Sequence, residues 1–84
     1  MYALDIKPKA IKSLARLPKK YQAKIVDAFE ILKENPLAGK ELDGEFAGIR
    51  SLRVWPYRIL YVIDDKIITV TVLKIGHRQN VYKK

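Results

Sequence analysis

The sequence predicts an α+β fold, with an N-terminal strand and a helical hairpin packed on a mainly antiparallel sheet of about four strands. Three observations predict it. Apolar residues alternate at the start of the chain, at Tyr2, Leu4 and Ile6. They then recur at helical spacing as far as Leu32. Beyond Gly48 they return to a period of two and keep it. Helical runs followed by strand runs place helices on one sheet face and leave the other partly exposed, the natural position for a binding surface.

Each element has a local reason. Tyr2, Leu4 and Ile6 alternate with Ala3, Asp5 and Lys7 in a half-buried strand. Pro8 suits a first helical turn, where its missing N–H costs little, and residues 9–16 carry Ile11, Leu14 and Ala15 on one face. Pro18 opens a second helix, whose stripe is Tyr21, Ile25, Ala28, Phe29 and Leu32. Asn35-Pro36 ends it, because a residue before proline avoids the helical region. Leu37 to Ala47 is a polar connection with Gly39, Gly44 and the acids Glu41, Asp43 and Glu45. Strand runs follow at 49–54, 57–64 and 67–75, with Asp64-Asp65 as a hairpin turn, Gly76 as a breaker and Val81-Tyr82 as a short last strand. Tyr57 to Ile63 is apolar on both faces below Arg58, so this run is central.

The 84 residues make one domain, 1–84, with enough apolar content for a core. No cysteine is present, which excludes disulfides and thiolate zinc sites and fits a cytoplasmic protein. No apolar run reaches membrane-spanning length, and MYALDIKPK lacks a signal-peptide apolar region. The net charge of +8 favours a polyanion or an acidic protein partner. The charge is uneven. From Phe46 onward Arg50, Arg53, Arg58, Lys66, Lys74, Arg78, Lys83 and Lys84 face only Asp64 and Asp65. Lysines such as Lys66 are explained by solubility. Arginine is the residue that grips phosphate in a bidentate way.

The candidate site begins with Arg53 and Arg58, which flank Val54-Trp55-Pro56-Tyr57. In a tight hairpin the two stand opposite one another, and like charges paired across strands destabilise a sheet. Such heads either splay into solvent or meet an anion. Arg78 follows Gly76 at the same end of the sheet, and three guanidiniums there would hold phosphate and stabilise the charge of a phosphoryl transition state. The competing arrangement pairs Arg53 or Arg58 with Glu41, Asp43 or Glu45. Spacing alone weighs the two equally. His77, the single histidine, is a general acid or base, or an ordinary strand-end residue. Tyr82 stacks on a base or moves a proton, or is an edge tyrosine. Trp55 stacks on a nucleobase, clamps its turn, or anchors a protein interface. There is no phosphate loop, nucleophilic triad or metal-ligand spacing. An enzyme built on these residues works without a cofactor.

The segments L-D-G-x(3)-G-I-R-S-L-R-V-x-x-Y-R-I-L-Y-V-I-D-D and I-G-H-R-x-x-V-Y resemble the RelE/ParE toxin superfamily of prokaryotic toxin–antitoxin systems. So do Y-x-L-x-I, the helical hairpin and the E-N-P after it, and the likeness spans essentially the whole chain. The resemblance implies a RelE-like mRNA interferase. That is a ribosome-dependent endoribonuclease whose basic side chains hold mRNA while a 2′-OH attacks the adjacent phosphate without a metal. It also implies a cytoplasmic partner set of ribosome, mRNA and a RelB-like antitoxin in a hetero-oligomer. Carried over by residue, Arg58 contacts the scissile phosphate, Arg78 supports the transition state and Tyr82 stacks on or activates the substrate. His77 falls where some relatives carry lysine or histidine. Arg53, Arg50 and Trp55 are further candidates for substrate binding, read from the residues themselves. Ile49 and Ser51 stand where the nuclease branch has lysines, and of Arg50 and Arg53 only Arg53 shares their face. The departure leaves two alternatives, a ParE-like DNA gyrase inhibitor and a toxin fold without activity.

Overall fold

The computed structural model describes residues 1–82. Lys83 and Lys84, counted among the basic residues above, lie outside them. The order is β1 (Ala3–Ile6), α1 (Pro8–Ala15), α2 (Lys19–Glu34), β2 (Lys40–Glu41), β3 (Arg50–Val54), β4 (Tyr57–Asp64) and β5 (Thr69–His77). Short 3-10 turns at Pro36–Ala38 and Gly44–Phe46 bracket β2. The strands form one five-stranded sheet in the order β1-β5-β4-β3-β2. β4 is central, as its two-sided apolarity predicts. Three of the pairings are antiparallel, and β1 lies parallel to β5.

Proline and spacing set the helices. Pro8 stands in the first turn of α1, and Asn35, which precedes Pro36, closes α2. Helix ends leave carbonyls without intrahelical donors. Gln22 of α2 donates its side-chain amide to Leu17 O at 2.9 Å and Ala15 O at 3.3 Å, tying the two helices together. Ala10, Ile25, Ala28, Phe29 and Leu32 then pack on Ile59 and Tyr61 of β4 and Val70, Val72 and Ile75 of β5. Tyr61 is fully buried at the centre.

Four features depart from the sequence expectation. The β4–β5 turn occupies residues 65–68, so β5 begins at Thr69 and not Ile67. Ile68 sits at φ 50°, a left-handed conformation that a β-branched residue seldom adopts. Its carbonyl accepts from Ala3 N at 2.9 Å, so the turn is coupled to β1. Gly76 does not break β5, which continues to His77. Val81-Tyr82 is a turn, and the extra strand is β2, inside the stretch expected to be a plain connection.

The face away from the helices is partly covered by the chain's own end. Val81 is buried, with its side chain over Gly76, and Leu60 is buried apart from the helix-side core. The segment therefore passes from β5 toward β3, where Tyr82 meets Ser51.

Candidate functional site: an arginine cluster on the face opposite the helices

Strand register builds the site. Arg53 pairs with Arg58 across β3 and β4, and Arg58 pairs with Gly76 across β4 and β5. The hairpin loop is Trp55-Pro56, joined by a cis peptide bond. Arg78 N donates to Pro56 O at 3.0 Å, which brings the C-terminal segment to the same end. Arg53, Arg58, Arg78 and an exposed Trp55 line one hollow of about 100 Å³. Among the described residues no carboxylate pairs with any of these arginines. Of the two arrangements that spacing left open, the structure has the unpaired one. Two like charges opposed across strands cost about 0.2–1 kcal/mol, a cost that a bound anion offsets.

On the other side of Arg58 lies a second hollow of about 250 Å³. Its lining includes Lys40, Asp43, Ser51, Arg58 and Tyr82. The Tyr82 hydroxyl is 3.1 Å from Ser51 Oγ, and its ring meets Phe46 edge-on at 5.8 Å. Ser51, which stands where the nuclease branch has a lysine, is nearly fully buried and pairs its hydroxyl with that of Tyr82. It stands two residues before Arg53 and so shares that face. Arg58 borders both hollows.

Arg50 is placed differently from the expected substrate contact. Its Nε and Nη2 donate to Gly39 O at 3.1 and 2.8 Å, Nη2 reaches Leu37 O at 3.4 Å, and Nη1 lies 3.5 Å from Glu41 Oε1. The guanidinium is taken up in holding the 37–41 loop. Tyr61 holds the same loop from beneath, donating its hydroxyl to Pro36 O at 2.6 Å and accepting from Gly39 N at 2.9 Å. Together they fix the segment that carries Lys40.

His77 is not brought to the arginines. It pairs with Tyr57, and the two rings meet edge-on at 6.1 Å. Tyr57 in turn meets Tyr21 of α2 at 5.3 Å, so His77 belongs to the helix side. The cause is a bulge. Leu60 pairs with Lys74 but Tyr61 with Val72, so Leu73 is an extra residue. One inserted residue reverses which face every later side chain takes. It turns Ile75 into the core and His77 with it.

Among the described residues no group of His, Asp or Glu could hold a metal ion. No helix there is long and apolar enough to cross a membrane.

Comparison with known proteins gives these features a lineage. Residues 4–82 match the family model described as the ParE toxin of the type II toxin–antitoxin system parDE. The chain is 39% identical to Toxin RelG of Mycobacterium tuberculosis over 85 residues, covering 99% of this chain and 98% of that protein. It is 36% identical to Toxin RelE of the same organism over 84 residues, covering 98% of this chain and 87% of that protein. The toxin–antitoxin complex RelBE2 of Mycobacterium tuberculosis superposes with a TM-score of 0.85 at 40% identity, covering 92% of this chain and 98% of that one. The intact RelBE toxin–antitoxin complex of Escherichia coli gives a TM-score of 0.78 at 26% identity, covering 92% and 96%. With matches that run nearly from end to end, this chain belongs to the RelE/ParE family of type II toxin–antitoxin toxins.

Proposed function

We propose that this toxin is a ribosome-dependent mRNA endoribonuclease that acts in the cytoplasm and needs no metal. The observation that carries the reading is the hollow lined by Arg53, Arg58 and Arg78 beside exposed Trp55. Three guanidiniums without carboxylate partners suit a phosphodiester, and they favour the transition state over the ground state because negative charge grows there. Trp55 offers a face for a base. Tyr82 lies on the other side of Arg58, its phenol fixed by Ser51.

In this mechanism the 2′-oxygen of one nucleotide forms a bond to the adjacent phosphorus and the bond to the 5′-oxygen breaks. The 2′-hydroxyl loses its proton and the leaving 5′-oxygen gains one. Tyr82 orients the nucleotide and exchanges the proton next to Arg58. Arg50 and His77 take no direct step, since one holds a loop and the other packs on Tyr57. The chain is neutralised by an acidic RelB-like antitoxin, in keeping with the toxin–antitoxin complexes among its structural relatives and with its +8 charge.

The second reading is a ParE-like gyrase inhibitor, favoured by the name of the matching family. Mapping of mRNA 5′ ends with purified chain separates the two. The nuclease reading expects new ends only when ribosomes are present. Intact mRNA together with inhibited supercoiling by gyrase would replace it with the second.

A further inference from the structure

We propose that Asp43-Gly44 is a self-modification site, where the backbone isomerises through a cyclic imide to an isoaspartyl linkage. The inference is independent of the function proposed above. The chemistry needs two free groups, a carboxyl group and the backbone N–H of the residue after it. Four of the five aspartates fail a requirement. Asp5 lies in β1 with its carboxylate 4.0 Å from Lys7 Nζ, and β-branched Ile6 crowds the nitrogen that would attack. Asp27 lies inside α2, where the next N–H is committed to the helix. Asp64 Oδ1 accepts from Lys66 N at 3.0 Å, and Asp65 Oδ1 accepts from the Tyr2 hydroxyl at 2.7 Å.

Asp43 meets both requirements. It is exposed, and among the described residues its carboxylate has no hydrogen bond or ion pair. Gly44 N donates no backbone hydrogen bond there, so its nitrogen is not held. Gly44 sits at φ 65°, and nothing lies within 4 Å of the place a β-carbon would take. The nitrogen is therefore approached through open space. Ring closure needs a rotation about the Asp43 Cα–C bond from its ψ of 174°. That rotation swings the Asp43 carbonyl, which is held by one long hydrogen bond, from Phe46 N at 3.3 Å.

The step balances with water alone. The Gly44 nitrogen bonds to Asp43 Cγ and a Cγ–O bond breaks. The oxygen leaves as water, taking the amide proton and the carboxyl proton. Water then adds to either carbonyl of the imide. Opening at Cγ restores aspartate. Opening at the main-chain carbonyl leaves the chain running through Cγ, one methylene longer, with a free α-carboxylate. The longer link falls between β2 and the Gly44–Phe46 turn. Phe46 meets Tyr82 edge-on at 5.8 Å, so the isomerised chain loses that placement.

The test is storage of the purified chain for weeks, followed by trypsin. Cleavage after Lys40 and Arg50 gives a peptide, 41–50, in which Asp43 is the single aspartate. This peptide should split into two chromatographic peaks of one mass. The new peak should accept a methyl group from S-adenosylmethionine with an isoaspartyl methyltransferase. Peptides carrying the other four aspartates should stay single. Conversion should run faster at about pH 5 than at about pH 8, because the protonated carboxyl is the better electrophile. Asp43→Glu should stop it, since a six-membered ring closes far more slowly. Asp43→Asn should speed it, with release of ammonia. NMR signals of the Phe46 and Tyr82 rings should shift in the isomerised fraction. A single peak for 41–50 in wild type and Asp43→Asn alike, or isoaspartate spread evenly over all five aspartates, overturns the inference.

Discussion

Substituting Gly39 by alanine should be among the most damaging small changes available to this chain. The backbone there is extended, at φ −82° and ψ 160°, so the residue is not needed for its dihedral angles. It is needed for space. A β-carbon on Gly39 would lie 2.6 Å from Tyr61 Oη, 2.8 Å from Tyr61 Cε1 and 2.9 Å from Ser51 O. Tyr61 has 0% exposure and cannot swing aside. Its hydroxyl must give up Pro36 O and Gly39 N, at about 1 kcal/mol per bond. Overpacking adds about 1–3 kcal/mol. The total, about 3–5 kcal/mol, is a large share of the ~5–13 kcal/mol expected for a domain of this size. Melting followed by circular dichroism should fall by at least about 12 °C. Tyr61→Phe serves as the partner variant, because it removes the closest clashing atom and the same two bonds. The double variant should cost less than the sum of the singles by about 1–2 kcal/mol. A loss below about 0.5 kcal/mol in Gly39→Ala, or strict additivity, would refute the reasoning.

The remaining predictions concern the site and its supports. Arg58→Ala and Arg78→Ala should each relieve growth arrest on induction while the melting temperature stays the same or rises, since removing Arg58 ends the like-charge pair with Arg53; full toxicity in both variants would sink the site. Arg50→Ala should lose about 1–3 kcal/mol of stability by freeing the 37–41 loop, and Arg50→Lys should recover only part of it because an ammonium cannot reproduce the fork; parity of the two in urea unfolding would argue against a planar grip. His77→Gln should leave the pH profile of RNA cleavage unchanged across about pH 5–8, the range where a catalytic imidazole would titrate; a flattened acidic limb would return His77 to the mechanism. The Tyr2 hydroxyl donates to Asp65 at 2.7 Å, and that bond, aided by desolvation and the Asp65 charge, raises its pKa above 10.0. Folding thus favours the protonated phenol, so this stabilisation is full below pH 10.0 and is lost as pH rises through the folded value. Wild type should therefore lose stability more steeply than Tyr2→Phe in that alkaline window, as read by urea midpoints.

Much of this was legible in the residues. The stripe from Tyr21 to Leu32 names the buried face of α2, and the tight Trp55-Pro56 connection forces Arg53 opposite Arg58. What the sequence hid was set by tertiary contacts or by single-residue insertions. β2 has only Lys40 and Glu41 and no apolar period; Arg50 and Tyr61 impose its course from other strands. The bulge at Leu73 has no glycine to announce it, yet it decides which face His77 occupies. The late start of β5 follows from Ile68 in a left-handed conformation, where β-branched composition argues for strand. Arg50 looked like a substrate contact because charge counting treats all arginines alike. Backbone carbonyls of the preceding loop claim it first.

The pairing of β1 with β5 has a consequence for when the toxin becomes dangerous. Ala3–Ile6 have partners only at Thr69–Val72, so the first strand made waits for the last one. Pairings this distant in sequence form late, because loop entropy is lost before contacts repay it. Arg78 and Tyr82 follow β5, and are therefore synthesised later still. A nascent chain on the ribosome thus holds neither a closed sheet nor an assembled arginine hollow. Under the function proposed above, activity therefore follows the formation of β5, and every earlier stage of folding leaves the hollow unbuilt.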